Sequence, residues 1–444
     1  MISFKKTISS IVRFPRLLRT PFGRRDVSHK FFNLFYFILR PSVGIYRRTV
    51  LRNTRVITVI GSLGKTTTCR TLADVVGDTR LKGDGNYKIS VIKNLLKHTP
   101  SSRYAVMETA VGGPGYMEGY ARMLKPDIAV VTSIASEHIL SFGSLEETRH
   151  EKSKMLRSLP PEKNVILNAD DPNVMWMAGQ TDARIITYGM NKNADIRAEN
   201  IRIIPPGGME FDAVLDENRL HLRISLLGRH MVYPALASLA IADLEGLDLQ
   251  NACRTIEDVQ PVQGRMCGVI LPSGAVLVRD DYKATRESVW RALETIREYP
   301  ARRKILVLGG VSEIFNEERY EFYRDLGSRI ASSVDLAYLF MQKNTFRRCR
   351  IGAENEGMDR SSITRIRFDA LSISSLLPED LGEGDVILIK GRTDYKIARL
   401  SLALMGRNVN CRLMSCPITT SFCDNCSMLE KGWNREKEPP LKRR

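Results

Sequence analysis

Gly61-Ser62-Leu63-Gly64-Lys65-Thr66-Thr67-Thr68 stands between a β-branched run at residues 56–60 and an amphipathic stretch at 66–76. A strand that feeds a helix through a glycine-rich turn is where parallel α/β proteins bind anions. The glycines let backbone amides turn towards a phosphate, and the helix N-terminus adds partial positive charge. Lys65 supplies a full charge, and the Thr66 hydroxyl can hold Mg²⁺. Gly61, Ser62, Gly64, Lys65, Thr66 and Thr67 are therefore expected to contact a nucleotide. The strict pattern has a glycine five positions before Gly64; Val59 stands there, so the loop is a shortened form.

Outward from this loop, short apolar runs alternate with helical stretches, the signature of parallel strands joined by helices. Strands are expected at 56–60, 104–108, 127–132, 164–168 and 185–188, and helices at 66–76 and 145–159. Ser144 with Glu147 three residues on has capping-box spacing. A turn-rich stretch at 261–264 interrupts the pattern. A second series follows, with strands at 275–278, 304–308, 336–340 and 386–390 and helices near 287–298, 318–332 and 395–405. The expected fold class is α/β: a phosphate-loop domain with a parallel-type sheet over 55–262, and a Rossmann-like C-terminal domain over 263–410. A basic N-terminal segment, 1–54, and a Cys-rich basic tail, 411–444, flank them.

The 444 residues carry a net charge of +17, but not evenly. Residues 1–55 hold 13 Lys/Arg against Asp26, and residues 431–444 hold six against Glu436 and Glu438. The body is close to neutral, which disfavours a nucleic-acid-binding core; charge at the ends suits an anionic membrane surface, or an RNA or acidic partner touched only by the tails. No stretch approaches the roughly 18 apolar residues of a membrane span, and no leader pattern is present. A cytoplasmic chain is expected. The aromatic run at 31–39, bracketed by Arg24, Arg25, Lys30 and Arg40, suits a headgroup interface and equally a helix buried against the next domain.

Further motifs carry a resemblance. Asn86 lies in Gly85-Asn86-Tyr87-Lys88. Glu108 closes an expected strand before Gly112-Gly113-Pro114-Gly115. Thr132-Ser133-Ile134-Ala135-Ser136-Glu137-His138 precedes Phe142-Gly143-Ser144 and Lys152, and Asn168-Ala169-Asp170-Asp171-Pro172 and Gly228-Arg229-His230 follow. With the phosphate loop, this series resembles the Mur ligase family, ATP-dependent enzymes that join a carboxylate to an amine through an acyl phosphate.

The resemblance implies ATP and two magnesium sites, with Thr66, Glu108, His138 and Lys152 as the metal-side residues; a lysine matching Lys152 is carbamylated in several members. Read alone, His138 is a loop histidine and Lys152 a solvated helix lysine. Lys154 stands where an acid is common in the family. In the second domain Gly264-Arg265 and Asp280-Asp281-Tyr282-Lys283-Ala284-Thr285 resemble the D-glutamate-adding ligase. Arg265 and Lys283 would meet the phosphates, Asp281 the ribose or a magnesium water, and Thr285 the amine substrate. The stretches 307–313 and 384–391 look more like the D-alanyl-D-alanine-adding enzyme. After His230, where asparagines commonly reach the nucleotide, stand Met231 and Pro234.

With about 55 residues ahead of the loop, the family's usual UDP-sugar domain is expected to be missing. A polymeric, lipid-linked or smaller carboxylate is therefore expected to accept a small amine, in the setting of the cell envelope. The competing expectations are a poly-glutamate or cyanophycin-like synthetase and an inactive nucleotide-binding scaffold. Finally, Cys411, Cys416, Cys423 and Cys426 fall within sixteen residues, with a Cys-x₂-Cys knuckle. That cluster reads as a site for Zn²⁺ or an iron–sulfur cluster, or as a reduced tail.

Overall fold

The computed structural model describes residues 36–80, 89–135, 139–312, 314, 318–366, 377–412, 423–426 and 428–432. His138, Asn86 and Cys416 lie outside them, as does most of the aromatic run.

The first sheet has eight strands in the order β2-β1-β3-β4-β5-β6-β7-β8. They are β1 (Arg55–Ile60), β2 (Tyr104–Glu108), β3 (Ile128–Val131), β4 (Asn164–Asn168), β5 (Arg184–Gly189), β6 (Ile196–Ile204), β7 (Gly208–Leu215) and β8 (Asn218–Ile224). Pairing is parallel from β2 to β6 and antiparallel from β6 to β8. Successive side chains of β1 point to opposite faces. Ile57 and Val59 enter one hydrophobic cluster, and Val56 and Ile60 enter the other. Both faces are covered, which is why β1 reads as a continuous apolar run.

Chain α1 (Tyr36–Thr49) precedes this sheet, and α2 (Lys65–Val76), α3 (Ile89–Leu95), α4 (Met117–Leu124), α5 (Leu145–Leu156), α6 (Val232–Leu244) and α7 (Leu249–Glu257) surround it. Ser144 caps α5 by accepting from the Glu147 amide, as its spacing predicts. Helix α6 packs on α2 and is buried nearly all round. Pro234 sits in its first turn, where a missing N–H leaves no intrahelical bond unmade.

The second sheet runs β13-β12-β11-β14-β10-β9. Its strands are β9 (Cys267–Ile270), β10 (Val276–Asp280), β11 (Arg303–Gly309), β12 (Leu336–Phe340), β13 (Ile363–Arg365) and β14 (Asp385–Gly391), all parallel except the β9–β10 pair. Helices α8 (Arg286–Glu298), α9 (Arg319–Ala331), α10 (Lys343–Asn355) and α11 (Ala398–Leu404) complete it. One apolar cluster passes from Val59 and Leu236 in the first domain to Val278 and Leu293 in the second, so the domains share packed surface.

The aromatic run enters the described residues only at its end, which belongs to α1. Tyr36 and Val43 of α1 are buried, and Tyr46 donates to the His98 carbonyl at 2.8 Å. Arg47 turns inward to the Leu124 carbonyl (2.9 Å) and Asp127 (2.9 Å). The helix is thereby fixed to α3 and α4 of the first domain.

Candidate active site

The phosphate loop owes its shape to glycine and to the neighbouring strand exit. Gly61 has φ +141°, and a Cβ there would meet Thr132 Oγ1 at 2.1 Å. Gly64 is left-handed at the N-cap of α2 (φ +83°). Thr132 donates to the Leu63 carbonyl (2.7 Å), the Ser62 amide to the Ser133 carbonyl (2.6 Å), and the Ala135 amide to Ser62 Oγ (3.0 Å). Residues 132–135 are pinned in turn: Asn168 donates to the Thr132 carbonyl, and Asp171 accepts from the Ile134 amide. The Asn168–Asp171 motif thus shapes the loop at one remove.

Lys65 is buried, with its ammonium on the Gly61 and Ser62 carbonyls at 2.9 and 2.7 Å. Thr66 Oγ1 donates to Glu108 Oε1 across 3.0 Å, bringing the second residue of α2 against the last residue of β2. A hydroxyl and a carboxylate side by side form a hard-oxygen pair suited to Mg²⁺. Lys152 is buried at 4% exposure, not solvated, and its Nζ donates to Ser62 Oγ at 2.8 Å. Lys154, the odd residue of that helix, pairs instead with Glu151 at 2.6 Å, away from the loop.

Opposite these groups the second domain closes a cleft of about 980 Å³, its open mouth included. Ser62–Thr68, Glu108 and Thr132 line one wall; Arg265, Asp280, Lys283 and Lys390 line the other. The Arg265 guanidinium lies 4.7 Å from the centre of the Tyr282 ring. Lys390 reaches Asp280 Oδ2 at 2.5 Å and the Lys283 carbonyl at 2.7 Å. Burial pushes the Asp280 carboxyl up, and Lys390 opposes that shift.

At the far end stand His230, Met231, Tyr233, Pro234 and Arg291. Burial, reinforced by Arg291 and Lys390, pushes the His230 imidazole down to about 3, so it is neutral. Tyr233 donates its hydroxyl to Asp170 at 3.0 Å.

Two expected site residues face elsewhere. Asp281 accepts from Arg279 (3.1 Å) and Ser401 (2.8 Å) and is 4% exposed, whereas Asp280 lines the cleft. The cause is the two-residue period of the extended chain: Arg279 and Asp281 share one side, and Asp280 takes the other. Thr285 is 3% exposed at the N-cap of α8, with its hydroxyl out of reach of solvent, and is not part of the cleft lining. Asp280, Lys390 and Arg291 were not foreseen from the sequence. Lys390 closes an apolar strand, a position that favours ligand contact in parallel sheets.

In the tail, Cys411 and Cys423 are buried and Cys426 half-buried as free thiols. Among the described residues no three His, Cys, Asp or Glu side chains converge as metal ligands.

Residues 59–242 match the Mur ligase middle domain, and residues 264–393 match the Mur ligase glutamate ligase domain. The UDP-N-acetylmuramoyl-tripeptide–D-alanyl-D-alanine ligase of Synechocystis is 27% identical over 362 residues, covering 80% of this chain and 75% of that one. The enzyme of the same name from Escherichia coli is 29% identical over 266 residues, covering 59% and 58%. Among solved structures, MurF from Acinetobacter baumannii superposes with a TM-score of 0.73 at 21% identity, covering 84% of this chain and 81% of that one. The ADP complex of MurF ligase from Thermotoga maritima gives 0.72 at 20%, covering 83% of each. At that identity the two structures speak for the fold. The two domain matches place the chain in the Mur ligase family, the ADP-forming carbon–nitrogen ligases that join an acid to an amino acid.

Proposed function

We propose that the protein joins a peptide carboxylate to the amine of an amino acid or short peptide, activating the carboxylate with ATP in the cleft between the two domains. The observation that carries this is the juxtaposition of Lys65, Thr66 and Glu108 on one wall with Arg265 and Lys283 on the other. Phosphoryl transfer depends on positioning and on cations that neutralise phosphate oxygens.

In this proposal Gly61–Thr67 cradle the triphosphate. Lys65, Arg265 and Lys283 neutralise it, and Thr66 and Glu108 hold Mg²⁺. By family resemblance, His138 and Lys152 serve a second Mg²⁺. The bound metal supplies charge neutralisation at the phosphates. A carboxylate oxygen attacks the γ-phosphorus and ADP leaves. The amine nitrogen then attacks the acyl carbon, phosphate departs, and the amine gives up a proton. The D-alanyl-D-alanine ligases that the chain matches support an amino-acid or dipeptide amine.

The test is ADP formation with a panel of peptide carboxylates and amines, D-glutamate and D-alanyl-D-alanine among them, with products read by mass spectrometry. A product heavier by one amine residue, absent with Lys65→Ala, supports the proposal. A ladder of products would assign a polymerase, and ADP formation indifferent to both acid and amine would overturn ligation.

A further inference from the structure

We propose that the outer face of α1, with the end of α3 beside it, is a docking surface for an anionic lipid bilayer. This does not depend on the ligase reading, because the surface lies on the far core from the cleft and shares no residue with it.

The rotation of α1 is set by what it buries. Val43 and Arg47 point inward, so Pro41, Ile45 and Arg48, spaced four and three residues apart, share the outer side. Ile45 is 55% exposed, Val50 just beyond the helix 37%, and Leu96 at the end of α3 46%. These are three of the six large exposed hydrophobic side chains among the described residues. Their neighbourhood is secured by the Tyr46–His98 hydrogen bond, which ties the middle of α1 to the turn that carries Leu96.

The two segments that carry them hold charge of one sign, and Glu118 on the neighbouring α4 is paired with Arg122. Neither residues 36–60 nor residues 89–107 contain a single Asp or Glu. Arg48, Arg52 and Arg103 are exposed, and Lys93 and Lys97 half-exposed. The chain that enters α1 continues the pattern in sequence, with eight Lys/Arg against Asp26 over residues 1–35. Aliphatic side chains ringed by cations are the composition of an element that lies at a headgroup boundary. Nucleic acid, the other polyanion, is read by aromatic stacking and hydrogen bonding, which Ile45, Val50 and Leu96 do not offer.

The experiment is co-sedimentation of the full chain with vesicles of phosphatidylcholine alone and of equal parts phosphatidylcholine and phosphatidylglycerol. At low salt, partition onto the anionic vesicles is expected to exceed that onto neutral ones by about ten-fold or more, and to fall as salt rises. Ile45→Glu with Leu96→Glu, and separately Arg48→Glu with Arg52→Glu, should each lower it by about five-fold or more, with ADP affinity and melting temperature unchanged. Should one pair fail to fold, the other carries the test. Equal partition onto both vesicles overturns the proposal. Variants that bind like the parent also overturn it and assign the contact to residues 1–35. Displacement from vesicles by RNA, with RNA binding unaffected by the Ile45/Leu96 pair, overturns it in favour of a nucleic acid.

Discussion

Lys152 Nζ donates to Ser62 Oγ across 2.8 Å, from the third turn of α5 to the second residue of the phosphate loop. Ser62 also accepts from the Ala135 amide and donates to the Ala135 carbonyl. One hydroxyl thus joins the loop to β3's exit and to a buried ammonium. Lys152→Met leaves the stem in place and removes the charge. A charge-assisted bond of this kind contributes about 1.5–3 kcal/mol, and ADP affinity is expected to fall by roughly ten-fold or more on the same basis. Isothermal titration checks this, with the melting temperature as control.

Glu108→Gln keeps an oxygen for the Thr66 hydroxyl while deleting the negative charge. The fold should be unaltered. In the parent, ADP is expected to bind more tightly with Mg²⁺ than with EDTA; in Glu108→Gln that gap should shrink by about ten-fold. Titration in both buffers gives the answer, and an unchanged gap would place the metal elsewhere.

Arg291 lines the cleft beside Met231, Tyr233 and Pro234, and among the described residues its guanidinium has no hydrogen-bond or ion-pair partner. A planar cation over an apolar slot suits the face of a nucleobase, worth about 0.5–2 kcal/mol. Arg291→Ala should therefore weaken ADP binding by roughly three- to thirty-fold. Inorganic triphosphate, which has no base, should bind both forms alike. An equal loss for both ligands would move Arg291 to the phosphates.

His230 gives a dependence on pH with a definite sign. Its imidazole titrates near 6.5 when unfolded and is pushed down to about 3 in the fold. The unfolded chain therefore binds the extra proton first. Stability referable to His230 is complete above about pH 6.5 and declines as the pH falls from there towards 3. Denaturant midpoints for the parent and His230→Asn should converge as the pH falls through that window. Parallel profiles would remove His230 as the cause.

Arg279 bridges Asp281 and Asp424, the latter at 2.6 Å from the short turn Cys423–Asn425. Asp424→Ala leaves Arg279 buried with one carboxylate where it had two. A loss of about 1–3 kcal/mol is expected, together with faster proteolysis near residues 423–432. Thermal melts and limited digestion test both parts.

How much of this was legible in the sequence follows from how each element meets solvent. Strands β1, β2 and β4 are buried on both faces, so their apolar runs mark them to within a residue. The β6–β8 meander shows one face to water, where Glu199, Glu210, Asp212, Arg219 and His221 interlock, and that charge hides the strands. Helix α6 carries apolar residues on every side and a proline in its first turn, so it offers no amphipathic period.

The site divides in the same way. The phosphate loop and Glu108 are tied to a motif and a strand end, and were readable as such. Lys152 lies in Leu145–Leu156, so rich in charge that burial of one lysine has no local signal. Choosing Asp280 over Asp281 requires knowing which side of β10 meets the cleft, and a one-residue slip reverses the answer. Arg291 belongs to no pattern and becomes visible only once α8 is set against the start of α6.

Because Asp280 and Asp281 look in opposite directions from one backbone, the end of β10 serves two masters. Its cleft side carries the carboxylate gripped by Lys390; its other side carries the carboxylate that, through Arg279, moors the C-terminal turn. The C-terminal turn is thus anchored one peptide unit away from the cleft wall, and the same strand end carries both attachments.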